Sequence, residues 1–80
     1  MAYPNPFKNE LLAQVSLPVA GNISIAIFDV TGKQISNQTI SGNDGVNTIK
    51  ITDIEYLQSG VYFIQITAGN KTMMHKVVHQ

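Results

Sequence analysis

Few side chains of this eighty-residue chain could carry acid–base or metal chemistry, and they are scattered along it. They are Glu10, Asp29, Asp44, Asp53, Glu55, His75 and His79. Catalysis requires such groups to converge at one place in the fold. Asp29 and Asp44 each stand one to three residues before a glycine, as aspartates that accept hydrogen bonds in turns do. We therefore expect these two carboxylates to cap turns rather than to transfer protons.

The two histidines are the strongest candidates for metal ligands. On a helix, His75 and His79 would share a face and could bind zinc together. On a strand, which rises about 3.3 Å per residue, they would stand about 13 Å apart, too far to hold one ion. The segment 72–78 has the composition of a strand, so we expect no metal or other cofactor, and imidazoles that face solvent or a frayed terminus.

Composition argues against several other classes of function. The chain has no Cys, which excludes thiolate zinc sites, iron–sulfur clusters and cysteine nucleophiles. It has no Arg, its five Lys are scattered and its net charge is zero, so we expect no nucleic acid as a partner. No apolar run approaches the roughly 20 residues of a membrane span, and no nucleophile or phosphate-loop motif occurs. We expect neither an enzyme nor direct membrane insertion.

The elements that must position these residues are strands. Ile occupies ten positions and Val seven, in short alternating runs separated by Gly, Asn and Asp at spacings of roughly ten residues. The pattern predicts strands near 11–17, 23–28, 33–40, 48–51, 61–67 and 72–78, with 23–28 and 61–67 central and 33–40 at an edge. It is typical of a single all-β domain, an immunoglobulin-like antiparallel β-sandwich of six to seven short strands.

Two details of this sandwich are less regular. Between Thr52 and Ser59 the alternation stops, and Ile54 and Leu57 are spaced for a single helical turn that closes one end. In the terminal strand, apolar residues fall on both parities, so the pattern does not decide which face is buried.

An apolar patch is expected on the outer surface of the central strands. Side chains alternate between the two faces of a strand. If Ile23 and Ile64 point into the core, then Phe28, Val61 and Phe63 point outward. Our hypothesis is that these three contact a partner or the preceding domain. The alternative is that a neighbouring strand, loop or lysine stem covers them.

Four short motifs occur in a fixed order. They are Tyr3-Pro4-Asn5-Pro6-Phe7, Ile27-Phe28-Asp29-Val30-Thr31-Gly32-Lys33, Leu57-Gln58-Ser59-Gly60-Val61-Tyr62-Phe63 and Lys76-Val77-Val78. Over almost the whole chain, this series resembles the type A C-terminal sorting domain of the type IX (Por) secretion system of Bacteroidetes. The resemblance implies an immunoglobulin-like sandwich that follows an upstream cargo domain in the same chain.

The family also implies partners and a location. A type IX translocon in the outer membrane of a Gram-negative cell would recognise the domain after transit through the periplasm. A sortase-like peptidase would then remove it as the cargo is secreted or attached to the cell surface.

The resemblance assigns roles to particular residues. Residues 1–7, called here the lead-in segment, would form the junction with the cargo, and residues 8–80 the sorting domain. The junction would be marked by Pro4, Asn5 and Pro6, the first hairpin would be shaped by Asp29 and Gly32, and the candidate recognition residues would be Gly60, Tyr62, Lys76, Val77 and Val78. Gly60 and Tyr62 would also anchor the late core strand.

General physics makes these roles reasonable. Proline fixes its own φ and restrains the residue before it, so Pro4 and Pro6 are expected to stiffen the lead-in segment. A terminal strand could be recognised through backbone pairing at its edge together with the charge of Lys76. The alternative function is a carbohydrate-binding or structural accessory module of a secreted enzyme.

Overall fold

The computed structural model describes residues 2–52 and 54–80, and within them the chain forms strands and turns but no helix. The strands are β1 (Ala2–Tyr3), β2 (Leu12–Leu17), β3 (Gly21–Phe28), β4 (Gln34–Gly42), β5 (Gly45–Lys50), β6 (Gly60–Ala68) and β7 (Lys71–His79). The alternating runs of β-branched residues therefore adopt the extended conformation that they favour. The all-β prediction is confirmed.

The strands form two antiparallel sheets. The smaller sheet has the order β1-β2-β5 and the larger has the order β4-β3-β6-β7. Two hairpins, β3–β4 and β6–β7, lie within the larger sheet, whereas the chain changes sheet between β2 and β3 and on both sides of β5. Three strands facing four is the arrangement of an immunoglobulin-like sandwich.

The hydrophobic core lies between the two sheets and follows the alternation of each strand. Its buried side chains are Phe7, Leu11, Ala13, Val15, Leu17, Ile23, Ile25, Ile27, Ile49, Ile51, Ile54, Tyr62, Ile64, Ile66, Ala68 and Val77. The runs predicted to be central, β3 and β6, are the inner strands of the larger sheet.

The edge strand β4 contributes less to the core, as its polar composition predicts. Ile35 on this strand is 40% exposed, although Ile40 packs against the core. The side chain of Gln38 donates to the carbonyl of Lys50 at 3.3 Å and accepts from the amide of Thr52 at 3.0 Å. These two bonds join the edge of the larger sheet to the end of β5.

The irregular segment after β5 closes one end of the sandwich. The amide of Leu57 donates to the carbonyl of Ile54 at 3.1 Å, which forms a single turn. This turn buries Ile54 and places Leu57 against the core. The expected turn is therefore present, while Asp53 in the same segment lies outside the described residues.

One strand was not predicted. Ala2 and Tyr3 pair with Ala13 and Leu12 as β1, within the lead-in segment. A strand of two residues is too short to show any alternation. The smaller sheet thus includes Ala2 and Tyr3, which precede the first predicted strand.

Candidate functional site

The terminal strand β7 presents different side chains to the two faces of its sheet. Val77 points inward and is 1% exposed, with Met73 packed against the core on the same face. Lys76 and Val78 point outward, where Lys76 is exposed and Val78 half-buried. In the folded domain, only Lys76 and Val78 of the predicted terminal segment offer side chains to a partner.

Beside these two residues lies an outer-face patch, defined as Phe28, Val61, Phe63 and Val78. Phe28 is directly opposite Phe63 across β3 and β6, and Val61 is directly opposite Val78 across β6 and β7. Side chains in such cross-strand pairs are close enough to contact each other. All four are half-buried and lie outside the core, so the expected outward orientation is observed. Lys76, opposite Phe63, places a positive charge beside the patch.

The lead-in segment pairs with the outer edge of β7. The side-chain amide of Asn5 donates to the carbonyl of Lys76 at 3.2 Å and accepts from the amide of Val78 at 2.9 Å. The amide of Phe7 donates to the carbonyl of Val78 at 2.8 Å, and the carbonyl of Phe7 accepts from the amide of Gln80 at 2.9 Å. We call these contacts the terminal clasp. The clasp brings the predicted junction and the predicted terminal segment together.

Aromatic packing completes the terminal clasp. Phe7 is 1% exposed, and its ring centroid lies 4.7 Å from that of His79 in an edge-to-face arrangement. His79 Nε2 lies 3.1 Å from the carbonyl oxygen of Lys8. His79 is half-buried, so the expectation of a solvent-facing or frayed imidazole is wrong: the lead-in segment covers the ring.

The terminal clasp also corrects the expected mode of recognition. We expected a receptor to pair with the backbone edge of the terminal strand, but between Lys76 and Gln80 this edge is already bonded to Asn5 and Phe7. A partner of the intact domain must therefore use other groups there. The division between residues 1–7 and 8–80 stays a prediction, and the structure adds that part of the lead-in segment contacts the sandwich.

Asp29 and Gly32 lie together in the turn between β3 and β4. Asp29 Oδ1 accepts from the amide of Thr31 at 2.9 Å, the hydroxyl of Thr31 at 2.6 Å and the amide of Lys33 at 3.0 Å. The Thr31 hydroxyl, together with the backbone donors, lowers the pKa of the Asp29 carboxyl below its ordinary value of 3.8. Gly32 has φ of +89°, which an L side chain rarely adopts. The carboxylate is thus engaged within its own turn.

Gly60 and Tyr62 lie at the start of β6. Gly60 has φ of +152°, and two residues later Tyr62 points into the core. The hydroxyl of Tyr62 donates to the carbonyl of Gln58 at 2.6 Å. A tyrosine bonded to backbone a few residues upstream is also found at the corner of immunoglobulin-like sandwiches. In the folded domain Tyr62 is therefore placed to hold the strand, with its ring inside the sandwich.

The described residues contain no group of three or more His, Asp or Glu side chains that could hold a metal ion. Over the same residues, no helix has the length and apolarity needed to span a membrane. The candidate site is therefore a surface: Lys76 with the outer-face patch, held in place by the terminal clasp. Fold and site together define a small β-sandwich with a secured C-terminal strand.

Comparison with known proteins identifies the family. The model of the secretion system C-terminal sorting domain matches residues 1–80, the whole chain. The chain belongs to this family, the C-terminal sorting domains of type IX secretion. Its class of function is that of a sorting signal for export across the outer membrane to secretion or the cell surface, and a domain of this class is not itself a catalyst.

A relative places such a domain in a larger protein. An endo-acting ulvan lyase from Formosa agariphila is 31% identical over 74 residues, which are 92% of this chain but 13% of the lyase. The chain thus spans about an eighth of the length of this relative. No solved structure matches the chain.

Proposed function

We propose that this domain is a sorting signal that accompanies an upstream cargo through the periplasm and is recognised there by the type IX translocon. The observation that carries the proposal is the family match over the whole chain. In support, the predicted terminal segment places Lys76 and Val78 on the outer face beside Phe28 and Phe63. A half-buried apolar patch with one adjacent charge is the kind of surface that a protein partner binds.

We further propose that Lys76 and Val78 contribute to recognition through their side chains, and that Gly60, Tyr62 and Val77 contribute indirectly. Tyr62 and Val77 are buried, so changing them would alter the fold before it altered a contact. Gly60 sets the backbone at the start of β6. These three would thus keep β6 and β7 in the positions that display the outer-face patch.

Removal by a sortase-like peptidase belongs to the same proposal. Proteases cut backbone that is exposed and free to extend. Asn5 and Phe7 are bonded to β7, and Phe7 is buried. Cleavage would therefore fall on the cargo side of Ala2, and Pro4, Asn5 and Pro6 would stay with the sorting domain.

The test is export of a reporter. The domain is fused behind a periplasm-directed reporter in a host with type IX machinery, and the reporter outside the cell is measured. Lys76→Gln combined with Val78→Thr should reduce export several-fold, whereas Lys71→Gln, a matched change at the other end of β7, should not. Thermal unfolding of the purified variants checks that all remain folded. A reporter that stays periplasmic with the unchanged domain would contradict the proposal.

The alternative of a glycan-binding accessory module has one observation in its favour, because the relative from Formosa agariphila is named an endo-acting ulvan lyase. Such a module should bind a polysaccharide when isolated. Titration of the isolated domain with ulvan, followed by calorimetry, separates the two functions. Our proposal expects no heat of binding.

A further inference from the structure

Strand β2 is only partly paired on the side that faces β1. Its partner on the other side, β5, pairs with all of Leu12–Leu17, whereas the described residues of β1 pair with Leu12 and Ala13. In the described part of the chain, no strand continues β1 alongside Val15, Ser16 and Leu17. A sheet edge of this kind can accept an additional strand.

The orientation of the backbone at this edge follows from the neighbouring bonds. The carbonyl of Leu11 accepts from Ile51, which follows β5, and the carbonyl of Val15 accepts from the side chain of Asn47 on β5. Backbone groups alternate in direction along a strand, so odd-numbered residues of β2 face β5. The amide and carbonyl of Ser16 therefore face the open edge, where another strand would pair.

An apolar groove lies beside this edge, between β2 and the β6–β7 hairpin. It encloses about 420 Å³ and is lined by Val15, Leu17 and Val19 on one side and by Ala68 and Met73 on the other. Val19 is one of the most exposed apolar side chains of the domain, at 71%. Side chains of an added strand would enter this groove and cover apolar surface that now faces solvent.

The direction of β1 identifies the occupant. β1 is antiparallel to β2, with Ala2 opposite Ala13, so a strand that extended β1 beyond Ala2 would run toward Val15 and Leu17. In the same register, the residue immediately before Met1 in a longer parent protein would lie opposite Val15, and the third residue before Met1 opposite Leu17. Ala13 is buried in the core, so these two upstream positions would also point inward, toward the groove.

We propose that the segment of cargo or linker that immediately precedes residue 1 in the parent protein extends β1 along β2 and fills this groove. The inference rests on the proposed function, since it requires an upstream cargo in the same chain. It predicts apolar side chains at the first and third positions before Met1. The junction is then a strand of the sandwich and not a flexible tether, and a peptidase would have to act beyond it.

The test compares the present chain with one that carries the twelve residues encoded before it in the parent gene. Hydrogen exchange followed by NMR should show the amide of Ser16 at least tenfold slower in the extended chain, because it gains a partner. The extension should also raise the thermal midpoint by about 4–8 °C, the shift that a modest gain in stability produces in a domain of this size. Equal exchange rates for Ser16 in the two chains would overturn the proposal.

A pair of variants isolates the pairing. Ser16→Pro removes the amide that faces the open edge, and Ser16→Ala keeps it. The extension should raise the thermal midpoint of Ser16→Ala as in the unchanged chain, and that of Ser16→Pro by less than half as much. An equal rise in both variants would also overturn the proposal. If Ser16→Pro does not fold, the hydrogen-exchange rate of the Ser16 amide, compared between the shorter and the extended chain without this substitution, tests the proposal. Reporter export is measured separately, so the extension of β1 can be disproved while the proposed sorting function is still supported.

Discussion

Asn5 shows how a single side chain can replace part of a strand. Its amide oxygen and nitrogen meet the amide of Val78 and the carbonyl of Lys76, as a peptide group of a neighbouring strand would. Motif resemblance marked Asn5 as a junction residue, but one sequence does not show that it contacts residues more than seventy positions away. Periodicity reports the face on which a residue lies, and not its partner across the fold.

Asn5→Ala should destabilise the domain through the loss of both bonds. The expected decrease in the free energy of unfolding is about 1–3 kcal/mol, since each hydrogen bond contributes about 0.5–1.5 kcal/mol. Urea unfolding gives the value, and exchange of the Val78 amide should become faster. Asn9→Ala, an equivalent change at an exposed position outside the clasp, is the control. Similar losses in the two variants would show that the Asn5 amide has no special role.

His75 should make stability depend on pH. Its side chain is half-buried, and burial lowers the pKa of this imidazole below its ordinary value of 6.5. Above 6.5 the imidazole is neutral in both states, so the full stability is present. As the pH falls below that value, the unfolded chain takes up a proton before the folded one does, and stability is lost.

The measurement is urea unfolding at about pH 7.5 and about pH 5, a range above that in which Asp titrates. The unchanged domain should be less stable at the lower pH, and His75→Gln should lose less stability over the same range. A variant with an unchanged pH dependence would exclude His75 as the cause.

At the scale of elements, strands with dense alternation were predictable and short or ambiguous ones were not. β3 and β6 carry Ile at successive inward positions, so their alternation also identified Phe28 and Phe63 as outward-facing. β1 is too short to leave a pattern. The sequence did not predict which face of β7 is buried, because its apolar residues Met73, Met74, Val77 and Val78 occupy both odd and even positions. The register of β7 with β6 determines which of these side chains point inward.

The hairpin between β3 and β4 depends on Gly32. At φ of +89°, a Cβ would strain the backbone, so Gly32→Ala should lower the free energy of unfolding by about 1–2 kcal/mol. Gly21→Ala is the matched control, since nothing lies within 4 Å of the added Cβ and no left-handed φ is required there. Thermal unfolding of the two variants should show the larger decrease for Gly32→Ala. The reverse order would contradict this account of the turn.

At the scale of the whole molecule, the lead-in segment and the terminal strand stabilise each other. One side of β7 is paired with β6 along its whole length. On its other side the backbone is bonded to Asn5 and Phe7, and the buried Phe7 ring packs against His79. The overall architecture was predictable because it follows from the spacing of strands and turns. The clasp was not, because contacts between distant segments leave no trace in local periodicity.

A chain that begins at Lys8 should therefore be strongly destabilised. Loss of the Phe7 side chain alone is expected to cost about 3–5 kcal/mol, a large fraction of the roughly 5–15 kcal/mol that stabilises a typical domain. The bared edge of β7 should also promote association between copies. Circular dichroism and light scattering measure the two effects.

The control for this truncation is a chain of full length in which residues 1–7 are replaced by a Gly-Ser sequence. It should behave like the truncated chain, because length is restored but the clasp is not. A replaced chain as stable as the unchanged one would show that the lead-in segment adds nothing to the fold.

The direction of β1 separates the two ends of the sandwich. A chain that extended β1 beyond Ala2 would run toward the β6–β7 turn, whereas Lys76, Val78 and the outer-face patch lie near the opposite end, beside Gly60. A cargo attached before Ala2 would then leave from one end of the sandwich, while the end that carries the proposed recognition surface would stay unobstructed. We expect cargoes of very different size and shape to be compatible with the same docking event.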